Sequence, residues 1–196
     1  MNEPSPLSPP DPAVTQQPAW LATQCALVAT GDATALALAF GQAGRRHHDP
    51  SAARIALVLA IPVAEPLRWL AVLDRLFATA GLAELIALYR GLPRYPHPAL
   101  LRARAAVGVR SSMQSVFEAV ALDNDYPTAW FEQDPLNQMV LKAFFLGCDH
   151  RRIKGLEARA NPRLGRMLND YRHERSAAGR TIPDGLAEVV AWCERD

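Results

Sequence analysis

The stretch Asp134 to Gly147, DPLNQMVLKAFFLG, constrains this chain more than any other. On a helical wheel of ~100° per residue, Leu136, Val140, Ala143 and Phe144 cover one flank. Met139, Leu141, Phe145 and Leu146 cover most of the remainder. A helix that is apolar nearly all round is a buried helix, so the rest of the chain is expected to pack around it. Asn137, Gln138 and Lys142 interrupt the apolar surface. Each needs a partner if buried, because an unpaired polar group in a core costs about 2 kcal/mol or more.

Around such a helix, 196 residues suffice for one domain that buries roughly 70% of its unfolded surface. The 21 basic and 20 acidic residues cancel to a formal +1. No global field then draws in nucleic acid or anionic lipid, and nucleic acid is not an expected partner. Cys25, Cys148 and Cys193 are odd in number and lack a CxxC pair, which argues against a disulfide framework or a thiolate zinc site. Their plain reading is as small buried hydrophobes in a reducing compartment. The start, MNEPSPLSPPDP, has neither the basic nor the apolar region of a signal peptide. The apolar run Ile55 to Ala64 is about half of the ~20 residues a spanning helix needs and contains Pro62. A cytoplasmic protein without a transmembrane segment is expected.

Residues 1–13 hold five of the sixteen prolines and read as a disordered leader to a single helical domain over 14–196. A first short helix through Trp20, Cys25 and Val28 stops at Gly31, and Asp32 caps a second from Ala33 to about Gly44, closed by Arg45, Arg46, His47 and His48. Asp49-Pro50, Asp134-Pro135 and Asn161-Pro162 each set a capping side chain before a proline whose missing N–H is harmless at a helix start. Glu65-Pro66 opens a further helix with a poorer cap. The segment 91–98, GLPRYPHP, is an extended connection and a candidate internal boundary. From Ala99 to Ala121, Leu100, Ala103 and Val107 form one apolar stripe. Met113, Val116, Phe117 and Val120 form another, about 120° to 140° away, so the helix is expected to break near Gly108 to Ser112. Thr128 to Gln133 reads as one helical turn. No useful β alternation occurs. The fold class is all-α, with eight to ten short helices arranged as a bundle or as an irregular α-α superhelix of HEAT or TPR type.

In the helix from Asn161, the stripe Leu164, Met167, Leu168 and Tyr171 has Arg175 at its centre and Ala178 beyond it. Arg166, Asn169, His173 and Arg180 lie opposite, with Asp170 and Glu174 between. The strings YPTAWF, NQMVLKAFFLG, IKGLEARANPRLGRML and DYRHERSAAGR resemble the EboA family over about Arg110 to Pro183. Four features depart from its usual pattern: RSSM at Arg110 to Met113, DND at Asp123 to Asp125, Pro135-Leu136 before Asn137, and Ser176. They mark a divergent member. The resemblance implies a small helical protein from gene clusters linked to metabolite traffic, found beside a prenyltransferase-like and a cyclitol-synthase-like enzyme. It implies a pathway but no catalytic mechanism.

The ligand-binding candidates are Asn137, Gln138, Lys142, Glu174 and Arg175. Desolvation would lower the pKa of a buried Lys142 and make it a base, an amine nucleophile or an anion site. The alternative is a lysine that snorkels out or pairs with Glu132, Asp170 or Glu174. Asn137 and Gln138 would line a polar pocket or tie up loop backbone groups. Arg175 would bind phosphate or carboxylate, or pair structurally with Glu118 or Glu157. His173-Glu174 lacks the second histidine of a metal motif, and His150, Arg151, Arg152 and Lys154 read as a solvated basic turn. No phosphate loop, nucleophile elbow or catalytic triad order is present, and no metal or cofactor is expected. The leading expectation is an accessory protein that binds a small molecule or a cluster-encoded partner enzyme. The alternatives are an enzyme using Lys142 for acid/base work and a structural helical adaptor.

Overall fold

Three α-helices of this protein, two in its first half and one in its second, begin where a short side chain relieves the first free amides. Asp32 accepts from the amides of Thr34 and Ala35 and opens α2, Ala33–Arg46, after α1, Pro12–Ala29. Asp49 accepts from Ala52 and opens α3, Pro50–Leu59. Glu65 gives α4, Pro66–Thr79, no side-chain cap, as expected of a glutamate there. Then come α5, Leu82–Arg90, and two single 3-10 turns within the proline-rich connection. The second half holds α6, Arg102–Arg110; α7, Gln114–Ala121; α8, Tyr126–Trp130; α9, Gln133–Phe145; α10, Pro162–Ala177; and α11, Leu186–Cys193. The protein is all-α. This computed structural model describes residues 12–195, and the side chains of 19–195; eleven α-helices and no strand occur among them. Residues 1–11 of the expected leader lie outside the described residues, and Pro12 and Ala13 already belong to α1. No helix among the described residues is long and apolar enough to cross a membrane.

The chain divides between Leu88 and Tyr89 into two compact units. In the first, α1, α2 and α3 pack mutually around Leu36, Phe40, Leu57 and Val58, and α4 adds Trp69 and Leu73 to the buried set. In the second, α6 packs on α7, and α10 packs on both α9 and α11.

Three expectations about individual helices need correcting. Leu100, Ala103 and Val107 do not form a core stripe: all three are exposed, and Leu101, Ala105, Gly108 and Val109 face inward instead. The break before α7 lies where expected, but it leaves α6 free to turn by its small residues. Gly108 sits where a Cβ would meet Tyr89 Cε1 at 2.7 Å and Val120 Cγ2 at 2.6 Å, so this side of α6 is the one that can pack closely. Secondly, α9 begins at Gln133 with Glu132 as its cap, two residues before Pro135, which the four free amides of a first turn allow. Thirdly, α9 is not enclosed all round. Phe145 is 57% exposed and packs tilted against Tyr171 instead of entering the core, and Gln138 is exposed.

Asn124 and Tyr126 fasten the loop between α7 and α8. Asn124 is buried and donates to the carbonyls of Tyr89 and Ala119 while accepting from the Tyr126 amide. The Tyr126 hydroxyl donates to Pro98 O at 2.6 Å. Burial pushes this phenol up to about 12, against the opposing pull of Arg102. A raised folded-state pKa adds stability that is complete below the unfolded value and lost as pH rises through the folded one. Stability should therefore fall between about pH 10 and pH 12, on the order of 1 to 2 kcal/mol of it through Tyr126. In urea titrations, Tyr126→Phe should flatten part of that alkaline slope; an unchanged slope would show that Tyr126 does not cause it.

Candidate functional site

Lys142 stands on the α9 face that meets the junction of α6 and α7. Its ammonium donates to Val109 O at 2.6 Å and Ser111 O at 2.8 Å and lies 4.9 Å from the centre of the Phe117 ring. Those carbonyls are among the last four of α6 or just past its end, where no intrahelical donor remains. Lys142 thus closes one helix from another. The expected carboxylate partners, Glu132, Asp170 and Glu174, make no ion pair with it. Desolvation draws its pKa below the usual lysine range, while two carbonyls and a ring face hold the proton in place.

Asn137, 1% exposed, belongs to an amide cluster. It donates to Asn161 Oδ1 at 3.2 Å, and Asn161 donates back to Asn137 Oδ1 at 2.9 Å. Gln133 adds a donor to the same Asn137 oxygen and another to Arg159 O. Asn161 Oδ1 also accepts from the Leu164 amide, so one side chain caps α10 and joins it to α9. Arg159 then donates to the carbonyls of Thr128 and Phe131, at the end of α8. These amides satisfy one another and the backbone, as buried polar groups must.

Arg175 donates to Thr181 O at 2.6 Å and to the Tyr171 hydroxyl at 3.1 Å, with its guanidinium 5.6 Å from the Tyr171 ring centre. It pairs with neither Glu118, which accepts from Gln114, nor Glu157, which pairs with Arg195. Ala178 and Glu174 are exposed, so the α10 stripe ends at Tyr171, and Arg175 folds over the tail that follows the helix. The partners of Lys142 and those of Arg175 have no residue in common. Gln138 and Glu174 face solvent.

His150 is the residue that sequence reasoning misplaced. It is 3% exposed, not part of a solvated turn. Its ring lies 6.0 Å from Phe144 in a stacked arrangement and 5.7 Å from Trp192, and Nε2 lies 3.1 Å from Glu188 Oε2. Arg151 donates to the same Glu188 oxygen. A shallow groove beside them is lined by Ile153, Leu156, Glu157 and Trp192. No local pattern reveals a pairing across 38 residues. Arg54 was missed as well: it is buried, donates to Phe40 O, and lies 3.6 Å from Glu84. Among the described residues, no group of three or more His, Cys, Asp or Glu side chains is placed to hold a metal ion.

The first unit has a better-enclosed space. A cavity of about 310 Å³ opens where α1 turns into α2, with Val28, Leu36, Ile61, Trp69 and Val72 on its apolar side. Thr30, Asp32, Glu65 and Arg68 stand at its exposed edge. Asp32 also caps α2, and Glu65 and Arg68 pair at 3.2 Å.

Comparison with curated proteins and with solved structures gives no match. The family model described as metabolite traffic protein EboA matches residues 23–191. The match starts well before Arg110, where the resemblance read from the second half begins. Because it takes in most of the chain, this protein belongs to the EboA family.

Proposed function

We propose that this protein serves metabolite traffic by binding, without chemistry of its own, a small molecule that has an apolar body and a polar end. The observation that carries the reading is the cavity beside Trp69. Its volume of about 310 Å³ falls at the small end of the range for ligand pockets, and its apolar interior with a few polar groups at one edge has the usual character of such sites. The polar groups of the second unit support it by contrast. Lys142, Asn137 and Arg175 use their donors on carbonyls, amides and a phenol of the same unit, which is what structural residues do. A base at Lys142 would have to release a proton that two carbonyls hold.

Titration calorimetry with prenylated and cyclitol-like compounds tests the proposal. At least one of these is expected to bind, and Val72→Trp, which fills the cavity from its half-buried edge, should weaken that binding at least tenfold while leaving the fold intact. Binding that is indifferent to Val72→Trp would remove the cavity from the reading. Binding of none of the compounds, together with capture of a cluster-encoded enzyme, would replace it with a protein-partner role.

A further inference from the structure

Between Glu84 and Glu118 the chain has no carboxylate, and from Arg90 to Arg110 it reads RGLPRYPHPALLRARAAVGVR. That span contains five arginines, no amide side chain, and no hydroxyl but the Tyr95 phenol. The fold turns Leu92, Tyr95, Leu101, Ala105 and Val109 inward. It leaves Arg90, Arg94, Arg102 and Arg110 exposed, together with Leu100 at 37% and Val107 at 48% exposure. On α6, Ala103, Val107 and Arg110 fall within ~60° of one another, and Arg102 flanks them. Elsewhere in this unit the exposed Arg151, Arg152, Arg163 and Arg195 each have a carboxylate partner, whereas the exposed Arg166 and Arg180 on and after α10 have no ion pair among the described residues. Among the described residues, Arg90, Arg94, Arg102 and Arg110 have none.

We propose that the exposed side chains of the segment Arg90 to Arg110 dock the protein onto an anionic lipid bilayer surface. The argument is charge complementarity combined with composition. The segment offers guanidinium groups and aliphatic side chains and, apart from His97 and the buried Tyr95 phenol, no other polar side chain. A bilayer surface supplies phosphates, for which the planar guanidinium is well shaped, above hydrocarbon that takes Leu100 and Val107. Arginine stems lie along the apolar stripe with their heads in the phosphate layer. With so short a helix the attachment is peripheral and reversible, and it weakens with salt because exposed charges are screened.

The experiment is co-sedimentation of the full chain with vesicles of phosphatidylcholine alone or mixed with phosphatidylglycerol, at low and high salt. Binding is expected to the mixed vesicles only and at low salt. Each single Arg→Gln change at 90, 94, 102 or 110 should weaken it roughly fivefold. The quadruple variant should abolish it, Val107→Ser should weaken it, and Arg166→Gln with Arg180→Gln on α10 should leave it unchanged. The replaced arginines are exposed and unpaired, so circular dichroism should not change; if the quadruple variant does not fold, the single variants decide. Equal binding to neutral vesicles, no binding to mixed vesicles, or undiminished binding by the arginine variants would overturn the proposal. Retention on polyglutamate without vesicle binding would also overturn it, in favour of an acidic polypeptide partner.

Discussion

Gly185→Ala is expected to destabilise the second unit by about 3 kcal/mol, lowering the thermal midpoint by roughly 10 °C. Gly185 caps α11 with φ +76°, a left-handed conformation that alanine adopts at a cost of about 1 kcal/mol. The larger part is steric. A Cβ at this position would lie 2.0 Å from His150 Cε1 and 2.2 Å from Nδ1. His150 has nowhere to go, because Phe144 and Trp192 flank its ring and Glu188 holds Nε2. Removing the obstacle provides a control. In the Gly185→Ala, His150→Ala double variant the steric part vanishes, so the two changes together should cost on the order of 2 kcal/mol less than the sum of each alone. Calorimetric midpoints within error of the parent for Gly185→Ala would mean that the ring is not fixed there.

Lys142→Met is expected to cost about 2 kcal/mol. Methionine keeps the length and apolar contacts of the lysine stem, so the loss is confined to the ammonium. Val109 O and Ser111 O then lack the donor that α9 supplies across the junction, and the contact with the Phe117 ring goes as well. An unsatisfied acceptor costs on the order of 1 to 3 kcal/mol where it is buried; the half-exposed surroundings of Lys142 place this case toward the middle of the combined range. Hydrogen exchange locates the effect: amides of residues 108–114 should exchange faster, while those of α10 and α11 stay protected. A catalytic lysine predicts the reverse pattern, with unchanged stability and lost product formation in producing cells.

Lys142 and Arg175 show how the sequence and the structure share the explanation. Lys142 was legible as a misfit, because a cation in DPLNQMVLKAFFLG has to find acceptors. Which acceptors it finds was not legible, since Val109 and Ser111 lie more than thirty residues away and carry no side-chain signal as carbonyls. Arg175 follows the same logic: the sequence exposed the conflict and pointed to a carboxylate, but a phenol and a backbone carbonyl resolve it. Asn161 was read as a helix cap, and it is one. Its second task, the reciprocal bond with Asn137, depends on how α9 and α10 lie together. His150 and Glu188 were invisible as a pair for that reason, and Leu100, Ala103 and Val107 were assigned to the core because periodicity identifies an apolar stripe without saying which way it faces.

By itself the sequence determined the all-α class, the positions of most helix starts, the break before α7 and the membership in a metabolite traffic family. These follow from local chemistry: a capping side chain, a proline without an N–H and a glycine act within one or two turns, and a family pattern is itself a string of residues. Only the tertiary structure decided which misfit polar groups are satisfied internally, which apolar stripe remains exposed beside unpaired arginines, and where a half-open cavity is left. Those depend on contacts between residues distant in the chain, whose free energies arise only once helices are packed and water is excluded.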